Sequence, residues 1–329
     1  MARRIFVHIG RNKTGTTAVQ NALRAGREPL KRNGFHYPMG RPGHHYLAHH
    51  LQGTKRRGPP RGREPAELAG LLAERIAASN RDVVLSSEAL QRVEPAALAA
   101  WLGKAATVVV YIREQVDYLA AGYQQGIKMG HGRGDFASFL ALPSVLAGCT
   151  YLPFLAAWEE VFGRDNLVVR VYDRERLVEG DVVADFLSVL GIEAVDDLRI
   201  AEDHNPSAGG ALLEALRRIN TLDFEELRRR KAIYGPLAEL ALGNPDYRAK
   251  LPIAPDVVAG LRDRFAKDNA AVSARYFDGG PLFSLRPIPP AATHGEADVR
   301  VALERLADGA EPVDPDFAHT VRDRLLAAG

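Results

Sequence analysis

The stretch His8-Ile-Gly-Arg-Asn-Lys-Thr-Gly-Thr-Thr17 joins two segments of different pattern. Before it, Ile5–Ile9 is a short apolar run broken only by His8, which favours a β-strand. After it, Thr16–Arg24 carries apolar residues at helical spacing. The stretch therefore predicts a turn between a first strand and a first helix.

The residues of this turn are typical of an anion-binding site. Gly10 and Gly15 allow the backbone to turn tightly and to approach a ligand. The N–H groups and the dipole at the start of the helix favour an anion, and Lys13 adds a positive charge. Hydroxyl donors follow at Thr14, Thr16 and Thr17.

The turn is not a Walker A loop, because Lys13 precedes Gly15 and the Gly-Lys pair is missing. A Gly/Thr-rich turn with a surface lysine is the alternative.

The charges are unevenly distributed along the chain. In total, 43 Lys and Arg stand against 41 Asp and Glu. Residues 1–63 hold 14 Lys and Arg but a single acid, Glu28, which gives a net charge of +13. The other residues carry a net charge of −11. We therefore expect the first 63 residues to meet an anion.

The composition excludes several classes of protein. Apolar residues make up 46% and charged residues 26% of the 329 residues, the balance of a globular protein rather than a disordered or fibrous one. Cys149 is the only cysteine, which excludes an intrachain disulfide and a cysteine-rich zinc site. No apolar run approaches the roughly 18 residues of a membrane span, and the run after Arg4 is too short for a signal peptide. These features predict a cytoplasmic protein without a membrane span.

Short β-branched runs alternate with helical patterns beyond the first helix. Strands are predicted at Asp82–Ser86, Ala106–Ile112 and Asn166–Tyr172. Helices are predicted at Pro65–Ala78, Pro95–Leu102, around residues 116–127, Tyr151–Phe162 and Val182–Leu190, the last ended by Gly191. This alternation predicts a three-layer α/β fold with a central, mostly parallel sheet flanked by helices.

From about residue 208 the pattern is helical only, most clearly at Ala211–Ile219 and Pro255–Tyr276. Residues 286–296 are rich in Pro and small residues, so we expect an α/β domain over 1–285 and a linker with a short helical extension over 286–329. Two helices of that extension, Val299–Leu306 and Ala318–Leu326, could pack on the core or on a second copy of the chain in a homodimer. Residues 40–65 are predicted to be irregular.

The stretch from His8 to Thr17 resembles the 5′-phosphosulfate loop of sulfotransferases that use 3′-phosphoadenosine 5′-phosphosulfate (PAPS). The likeness is greatest to the bacterial branch related to carbohydrate sulfotransferases. This resemblance implies a P-loop-like fold, PAPS as co-substrate, no metal, and a role for Lys13 in stabilising charge at the bridging oxygen. The residues that it implies in nucleotide binding here are Arg11, Asn12, Lys13, Thr14, Gly15, Thr16 and Thr17.

Two further segments match that family in order along the chain. Val109-Val-Tyr-Ile-Arg113 is similar to the family's strand ending in the 3′-phosphate arginine, and a guanidinium can bind a phosphate through two parallel hydrogen bonds. Ala121 stands where the family usually has a serine as second 3′-phosphate ligand. Val171-Tyr172-Asp173-Arg174 is similar to the segment beside the adenine, which implies contact between Tyr172 and the base. A strand-end arginine and a packed tyrosine are the alternatives.

Glu88 is the candidate for the catalytic base. Leu85-Ser86-Ser87-Glu88 ends a predicted strand, at the edge where open α/β sheets bind ligands. The resemblance implies a His or Glu base some two dozen residues before the 3′-phosphate arginine, and Glu88 precedes Arg113 by 25. A carboxylate that caps a helix in the Ser-Ser-Glu turn is the alternative.

A group of histidines supplies the rival base. His44, His45, His49 and His50 lie close together, and His45 and His49 would share a helical face. A metal site would need a further ligand, often a carboxylate, and no acid occurs between Glu28 and Glu64, so we predict no metal here. These histidines could line the acceptor pocket, supply a base at His45, or be solvated loop residues.

Two further segments of the chain are rich in basic residues. The loop residues Lys55, Arg56, Arg57, Arg61 and Arg63 could attract an acidic saccharide, another anionic acceptor or PAPS, or could simply be solvated. The run Arg228-Arg-Arg-Lys231 is predicted to be a solvated helix face.

Together these features predict a sulfotransferase that moves the sulfuryl group from PAPS to a hydroxyl of a small molecule or saccharide, with a sugar or a glycolipid as an acceptor class. No nucleic-acid partner is expected. Such a transfer needs in-line positioning, stabilisation of charge on the leaving phosphate, and a base. The alternatives are a P-loop kinase that acts on a small molecule and a non-catalytic module that binds a polyanion.

Overall fold

The computed structural model describes residues 3–40, 43–54, 63–193, 198, 207–288 and 294–327. Four of the five basic residues predicted to attract an anion, Lys55, Arg56, Arg57 and Arg61, lie outside these residues. Arg63 is described and pairs with Glu67, with 3.3 Å between Nε and Oε1.

The centre of the fold is a five-stranded sheet in which the described pairings are all parallel. Its strands are β1 (Ile5–His8), β2 (Phe35–His36), β3 (Asp82–Ser86), β4 (Thr107–Ile112) and β5 (Leu167–Val171), in the order β2-β3-β1-β4-β5. The four predicted strands are confirmed to within one residue at either end, and the predicted α/β fold class is confirmed. The two-residue strand β2 is too short to leave a pattern in the sequence.

The helices match the predicted alternation. In chain order they are α1 (Thr16–Ala25), α2 (Arg27–Arg32), α3 (His45–Leu51), α4 (Pro65–Ala77), α5 (Pro95–Leu102), α6 (Gln115–Lys128), α7 (Phe136–Leu140), α8 (Pro143–Ala147), α9 (Tyr151–Phe162), α10 (Val182–Leu190), α11 (Gly210–Ile219), α12 (Glu226–Gly243), α13 (Pro255–Tyr276), α14 (Glu296–Ala310) and α15 (Pro315–Val321). A 3₁₀ turn, Glu88–Arg92, follows β3, and a short π-helical turn, Arg322–Leu326, follows α15.

One stretch was expected to be irregular and is helical. The prediction for residues 40–65 is wrong over His45–Leu51, which forms α3. Tyr46, Leu47 and Ala48 are buried there and join the same core cluster as Leu68 and Leu72 of α4. Burial of these apolar side chains outweighs the low helix propensity of a histidine-rich segment.

The chain divides into two compact units, each with its own core. The sheet unit comprises Met1–Glu114, Thr150–Ala201 and Lys267–Ser284. The helical unit comprises Gln115–Cys149, Glu202–Ala266 and Leu285–Gly329. The boundary at residue 285 suggested by the sequence is a different division of the chain and stays a prediction.

In the sheet unit, successive side chains of the strands enter two separate clusters. Val7, Val83 and Val108 pack in one cluster with residues of α4, α5 and α9. Phe6, Val84, Val109 and Tyr111 pack in the other with residues of α1 and α10. Because strand side chains alternate between faces, apolar residues at consecutive positions bury both faces of the sheet and give three layers.

An ion pair with a buried carboxylate connects β5 to α10 on one of these faces. Asp185 has no exposed surface and accepts hydrogen bonds from Arg170 Nε at 2.9 Å and from the Tyr111 hydroxyl at 2.7 Å. The Val178 N–H donates to the same carboxylate at 3.2 Å. The partnership with Asp185 raises the pKa of Arg170, chiefly through their hydrogen bond, and burial is the main cause that raises the pKa of Tyr111.

The helical unit has a core of small and aliphatic residues from α11, α12 and α14, with Leu216, Leu237 and Leu306 almost fully buried. The predicted solvated face at residues 228–231 is wrong at Arg229, which is 6% exposed. Its guanidinium donates to the carbonyls of Lys128 and Ile127 at 3.3 and 3.4 Å, at the C-terminal end of α6. A helix C-terminus carries partial negative charge, which accounts for a cation held there.

We predict that Asp185→Ala lowers the free energy of unfolding by about 2 kcal/mol, because it leaves the buried Tyr111 hydroxyl and the partly exposed Arg170 guanidinium without their acceptor. Denaturant titration of the whole chain measures the change. Glu160→Ala, at an exposed carboxylate of α9, is the control and should stay within about 0.5 kcal/mol of the wild type. Equal stability of the two variants would contradict this account of the pair.

Candidate functional site

The carboxyl ends of the strands lie along one edge of the sheet because the strands are parallel. The segments that leave this edge are the turn after β1, Ser87 and Glu88 after β3, Arg113 after β4 and Tyr172 after β5. Crevices at this edge are where open α/β sheets bind ligands. The three segments that the sequence singled out therefore emerge on one side of the fold.

The turn after β1 is closed by its own hydrogen bonds. The hydroxyls of Thr14 and Thr16 donate to the Arg11 carbonyl at 2.6 and 3.2 Å, and both threonines are buried. Their hydroxyl protons therefore support the turn from inside. Lys13 adopts a left-handed backbone with φ of 64°, which is strained for a residue with a side chain. Such strain is typical of ligand-binding turns.

The N-terminus of α1 has the features of a helix start that favours an anion. Its N-cap is Gly15, which has no side chain to accept from the first N–H groups, and the first turn holds no acidic residue. The hydrogen bond from Val19 N–H to the Gly15 carbonyl, at 3.1 Å, is where the helical pattern begins. The N–H groups of Thr16, Thr17 and Ala18 precede it and carry the positive end of the helix dipole. The side chains of Asn12 and Thr17 are exposed beside them.

Arg113 and Tyr172 meet this turn directly. Arg113 Nη1 donates to the Lys13 carbonyl at 2.9 Å, and the guanidinium carbon lies 5.5 Å from the centre of the Tyr172 ring. Tyr172 in turn lies against Gly15, since a methyl group on Gly15 would be 2.9 Å from Tyr172 Cε2. Three segments far apart in the sequence thus form one contiguous site. A guanidinium has five N–H donors, and the bond to Lys13 uses one of them.

Arg11 has a different place from its neighbours in the turn. It is 6% exposed, and its guanidinium carbon lies 5.2 Å from the ring centre of Tyr151 and 4.8 Å from that of Phe154, both in α9. The Tyr151 hydroxyl donates to the Arg113 carbonyl at 2.5 Å, and the Asp268 carboxylate caps the start of α9 by accepting from Tyr151 N–H at 2.7 Å. The cation–π contacts fix the turn to α9.

The two candidate bases lie together rather than apart. Glu88 Oε1 is 3.9 Å from His45 Nε2, and each side chain is about one third exposed. Ser87 Oγ lies 2.8 Å from His45 Nδ1, and Gln20 Nε2 donates to Glu88 Oε2 at 2.8 Å. The hydroxyl of Ser87, not the carboxylate of Glu88, accepts from the N–H groups of the 3₁₀ turn, at Ala89. Glu88 is therefore not the side-chain cap of that turn.

Two buried histidines support the ends of β1 and β3. His8 Nδ1 lies 2.9 Å from Ser86 Oγ, and His44 Nδ1 accepts from Ser86 N–H at 3.2 Å. Burial lowers the pKa of His8 to about 3 and that of His44 to about 4, so both rings are neutral at neutral pH. His44 Nε2 then donates to the Pro38 carbonyl at 3.2 Å. A histidine in an apolar strand and one in a histidine-rich loop give no sequence signal for such roles.

The side chain of Gln91 links the part of the site around Lys13 to the part around Glu88. Gln91 Nε2 donates to Asn12 Oδ1 at 3.2 Å and to the Glu88 carbonyl at 2.8 Å. The turn after β1 is therefore tied to the turn after β3. We name the two parts after the roles that we propose for them below: the donor-side cluster (Lys13, Gly15, Arg113, Tyr172) and the acceptor-side cluster (Gln20, His45, Ser87, Glu88).

Two features are absent from the described part of the chain. Within it, no three His, Cys, Asp or Glu side chains are grouped so that they could hold a metal ion. None of its helices combines the length and the apolar character needed to cross a bilayer.

Comparisons with known proteins give only partial likenesses. No protein-family model matches the chain. An uncharacterized protein of Archaeoglobus fulgidus is 31% identical over 113 residues, and the matched segment spans 34% of this chain but only 30% of that protein. The crystal structure of a sulfotransferase from Alicyclobacillus acidocaldarius is similar with a TM-score of 0.49 and 17% identity, covering 83% of this chain and 96% of the other. Neither likeness assigns the chain to a family.

We predict that Gly15→Ala is more destabilising than Gly191→Ala. Both glycines have a left-handed backbone, with φ of 74° and 77°, so an alanine costs about 1 kcal/mol at either position. At Gly15 the methyl group would also lie 2.7 Å from Val182 Cγ1 and 2.9 Å from the Tyr172 ring, whereas nothing lies within 4 Å at Gly191. Denaturant unfolding measures the difference, and equal losses would contradict the packing of Tyr172 on the turn.

We predict that stability falls as the pH drops below about 6.5. An unfolded histidine has a pKa of about 6.5, whereas the folded pKa values of His8 and His44 are about 3 and 4. The unfolded state therefore binds more protons in this window, which costs the folded state about 1.4 kcal/mol per pH unit for each histidine. Unfolding titrations from pH 7 to pH 5 should give a shallower slope for His44→Gln than for the wild type. An unchanged slope would refute the burial of a neutral His44.

Proposed function

We propose that this protein is a sulfotransferase that transfers the sulfuryl group of PAPS to a hydroxyl acceptor. One observation carries the proposal. Arg113 donates a hydrogen bond to the Lys13 carbonyl and lies close to the Tyr172 ring, and Tyr172 packs on Gly15. The three segments that resemble the phosphosulfate, 3′-phosphate and adenine contacts of such enzymes are therefore in contact with one another.

The donor-side cluster suits a nucleotide with phosphate groups at the 3′ and 5′ positions of its ribose. Lys13 and the N–H groups at the start of α1 would hold the 5′-phosphosulfate and stabilise the charge that develops on the leaving phosphate. Arg113 would bind the 3′-phosphate with its outer N–H donors, and Tyr172 would contact the adenine. The resemblance also includes Arg11, Asn12, Thr14, Thr16 and Thr17, among which Asn12 and Thr17 have the exposure that a direct ligand needs.

The acceptor-side cluster suits removal of a proton from a hydroxyl. Glu88 is partly exposed at the sheet edge, and its carboxylate is a group that can accept a proton in such a transfer. Glu88 would take the acceptor proton as the acceptor oxygen forms a bond to sulfur. The bond between sulfur and the bridging oxygen breaks, and its electron pair leaves with adenosine 3′,5′-bisphosphate. His45 stands beside Glu88, where it can orient the acceptor or share that proton. A sugar or a glycolipid hydroxyl is the acceptor class proposed.

We predict that the protein transfers radiolabelled sulfuryl groups from PAPS to members of a hydroxyl panel of sugars, glycolipids and small alcohols. Lys13→Ala should lower the rate by about a hundredfold, because it removes a charge at the leaving group. Glu88→Gln should lower it by about a hundredfold, because an amide cannot accept the proton. Lys104→Ala is the control for lost positive charge, since Lys104 is exposed and precedes β4 at the opposite edge of the sheet.

Three results would contradict this proposal. One is the absence of binding of PAPS and of adenosine 3′,5′-bisphosphate in calorimetry. Another is magnesium-dependent ATP hydrolysis without sulfuryl transfer, which would favour a small-molecule kinase. The third is binding of a polyanion that weakens steeply with salt and depends as much on Arg57 as on Lys13, which would favour a binding module.

A further inference from the structure

We infer that Gln20 is a positioning residue: its side-chain amide holds the Glu88 carboxylate in place and joins it to the helix that starts at the donor-side turn. This inference rests on the proposed function, because it names a further residue on which the proton-accepting group depends. Neither the motifs of the sequence nor its resemblance points to Gln20.

The hydrogen bond from Gln20 has few alternatives. The side chain is 4% exposed, and a buried amide must find partners within the protein. Its Nε2 donates to Glu88 Oε2 at 2.8 Å, while the other carboxylate oxygen, Oε1, is the one that lies 3.9 Å from His45 Nε2. One oxygen of Glu88 is thus held by an amide, and the other lies beside the partly exposed His45.

The position of Gln20 on α1 connects both sides of the proposed reaction. Gln20 follows Thr16 by four residues, so the two lie on the same helical face, about 6 Å apart along the axis. The first turn of α1 offers its N–H groups to the donor, and the next turn supplies the amide that holds the base. A rigid helical turn therefore sets the separation that an in-line transfer requires between leaving group and base.

The surroundings leave the cluster little freedom to rearrange. Gly43 lies so close that a methyl group there would be 2.9 Å from Gln20 Oε1 and 2.8 Å from His45 Nε2. Ser87 Oγ holds the other nitrogen of His45 at 2.8 Å. Among the described titratable groups, His45 lies 3.9 Å from Glu88, and the buried Tyr37 has a pKa that is raised mainly by burial and also by the charge of Glu88. Loss of the Gln20 amide would therefore remove the hydrogen bond that holds the Glu88 carboxylate to α1. Neither His45 nor Tyr37 could replace that bond, because neither belongs to α1.

The test compares Gln20→Met and Gln20→Glu with the wild type. Gln20→Met keeps the length of the side chain but removes its donor, so kcat should fall by about tenfold. Its affinity for adenosine 3′,5′-bisphosphate should stay within about twofold, because the donor-side cluster is unchanged. The acid limb of the pH–rate profile should move to higher pH, since a donor that favours the ionised carboxylate is lost. Gln20→Glu places two carboxylates together and should move that limb further in the same direction.

Asn21→Met is the matched control, because Asn21 is the next residue of α1, carries the same amide and is only half-buried. It should leave kcat and the pH–rate profile unchanged. Thermal unfolding of each variant accompanies the kinetics, and the nearly isosteric Gln20→Glu decides the question where Gln20→Met does not fold.

The outcomes separate this inference from the proposed function. A wild-type protein that neither binds adenosine 3′,5′-bisphosphate nor turns over PAPS refutes the proposed function and this inference with it. An active wild type whose Gln20 variants keep its kcat and pH–rate profile refutes the positioning role alone. A parallel loss of nucleotide affinity and kcat also refutes it, because Gln20 would then only stabilise α1.

Discussion

A hydrogen bond from the Arg113 guanidinium to the Lys13 carbonyl holds the candidate site together. It spans 100 positions of sequence and joins the end of β4 to the strained turn after β1. Tyr172 lies against the same guanidinium and against Gly15, so β5 is included in the same arrangement. Without this contact the left-handed backbone of Lys13 would have less to stabilise it, since strained conformations persist only where their surroundings over-determine them.

Helix α1 connects the turn after β1 to Glu88. Its N-terminus lacks a side-chain cap and is therefore open to an anion, while its second turn carries Gln20 to Glu88. The two clusters are also linked through Gln91, which bonds both Asn12 and the Glu88 carbonyl. Donor binding and proton acceptance would thus be set by one helix and one pair of turns at the edge of the sheet.

The sequence predicts the framework better than the roles of single side chains. Periodicity marks Asp82–Ser86 and Val182–Leu190 correctly because long-range packing agrees there with local preference. The convergence of Lys13, Arg113 and Tyr172 follows from parallel strands that end at one edge. Gln20 could not be identified, because a glutamine in an amphipathic helix looks like any polar position until its partner is known. The burial of Arg229 was also not predictable, since it depends on carbonyls about a hundred residues earlier.

We propose that Lys13, Arg113 and Tyr172 form one site for a nucleotide with a 3′-phosphate. Calorimetry with adenosine 3′,5′-bisphosphate and with adenosine 5′-monophosphate, on the wild type and on Arg113→Leu, tests it most directly. We expect the wild type to bind the bisphosphate about tenfold or more tightly than the monophosphate, and Arg113→Leu to remove most of this preference. Equal affinities in the wild type, or a preference that survives Arg113→Leu in a folded protein, would contradict it.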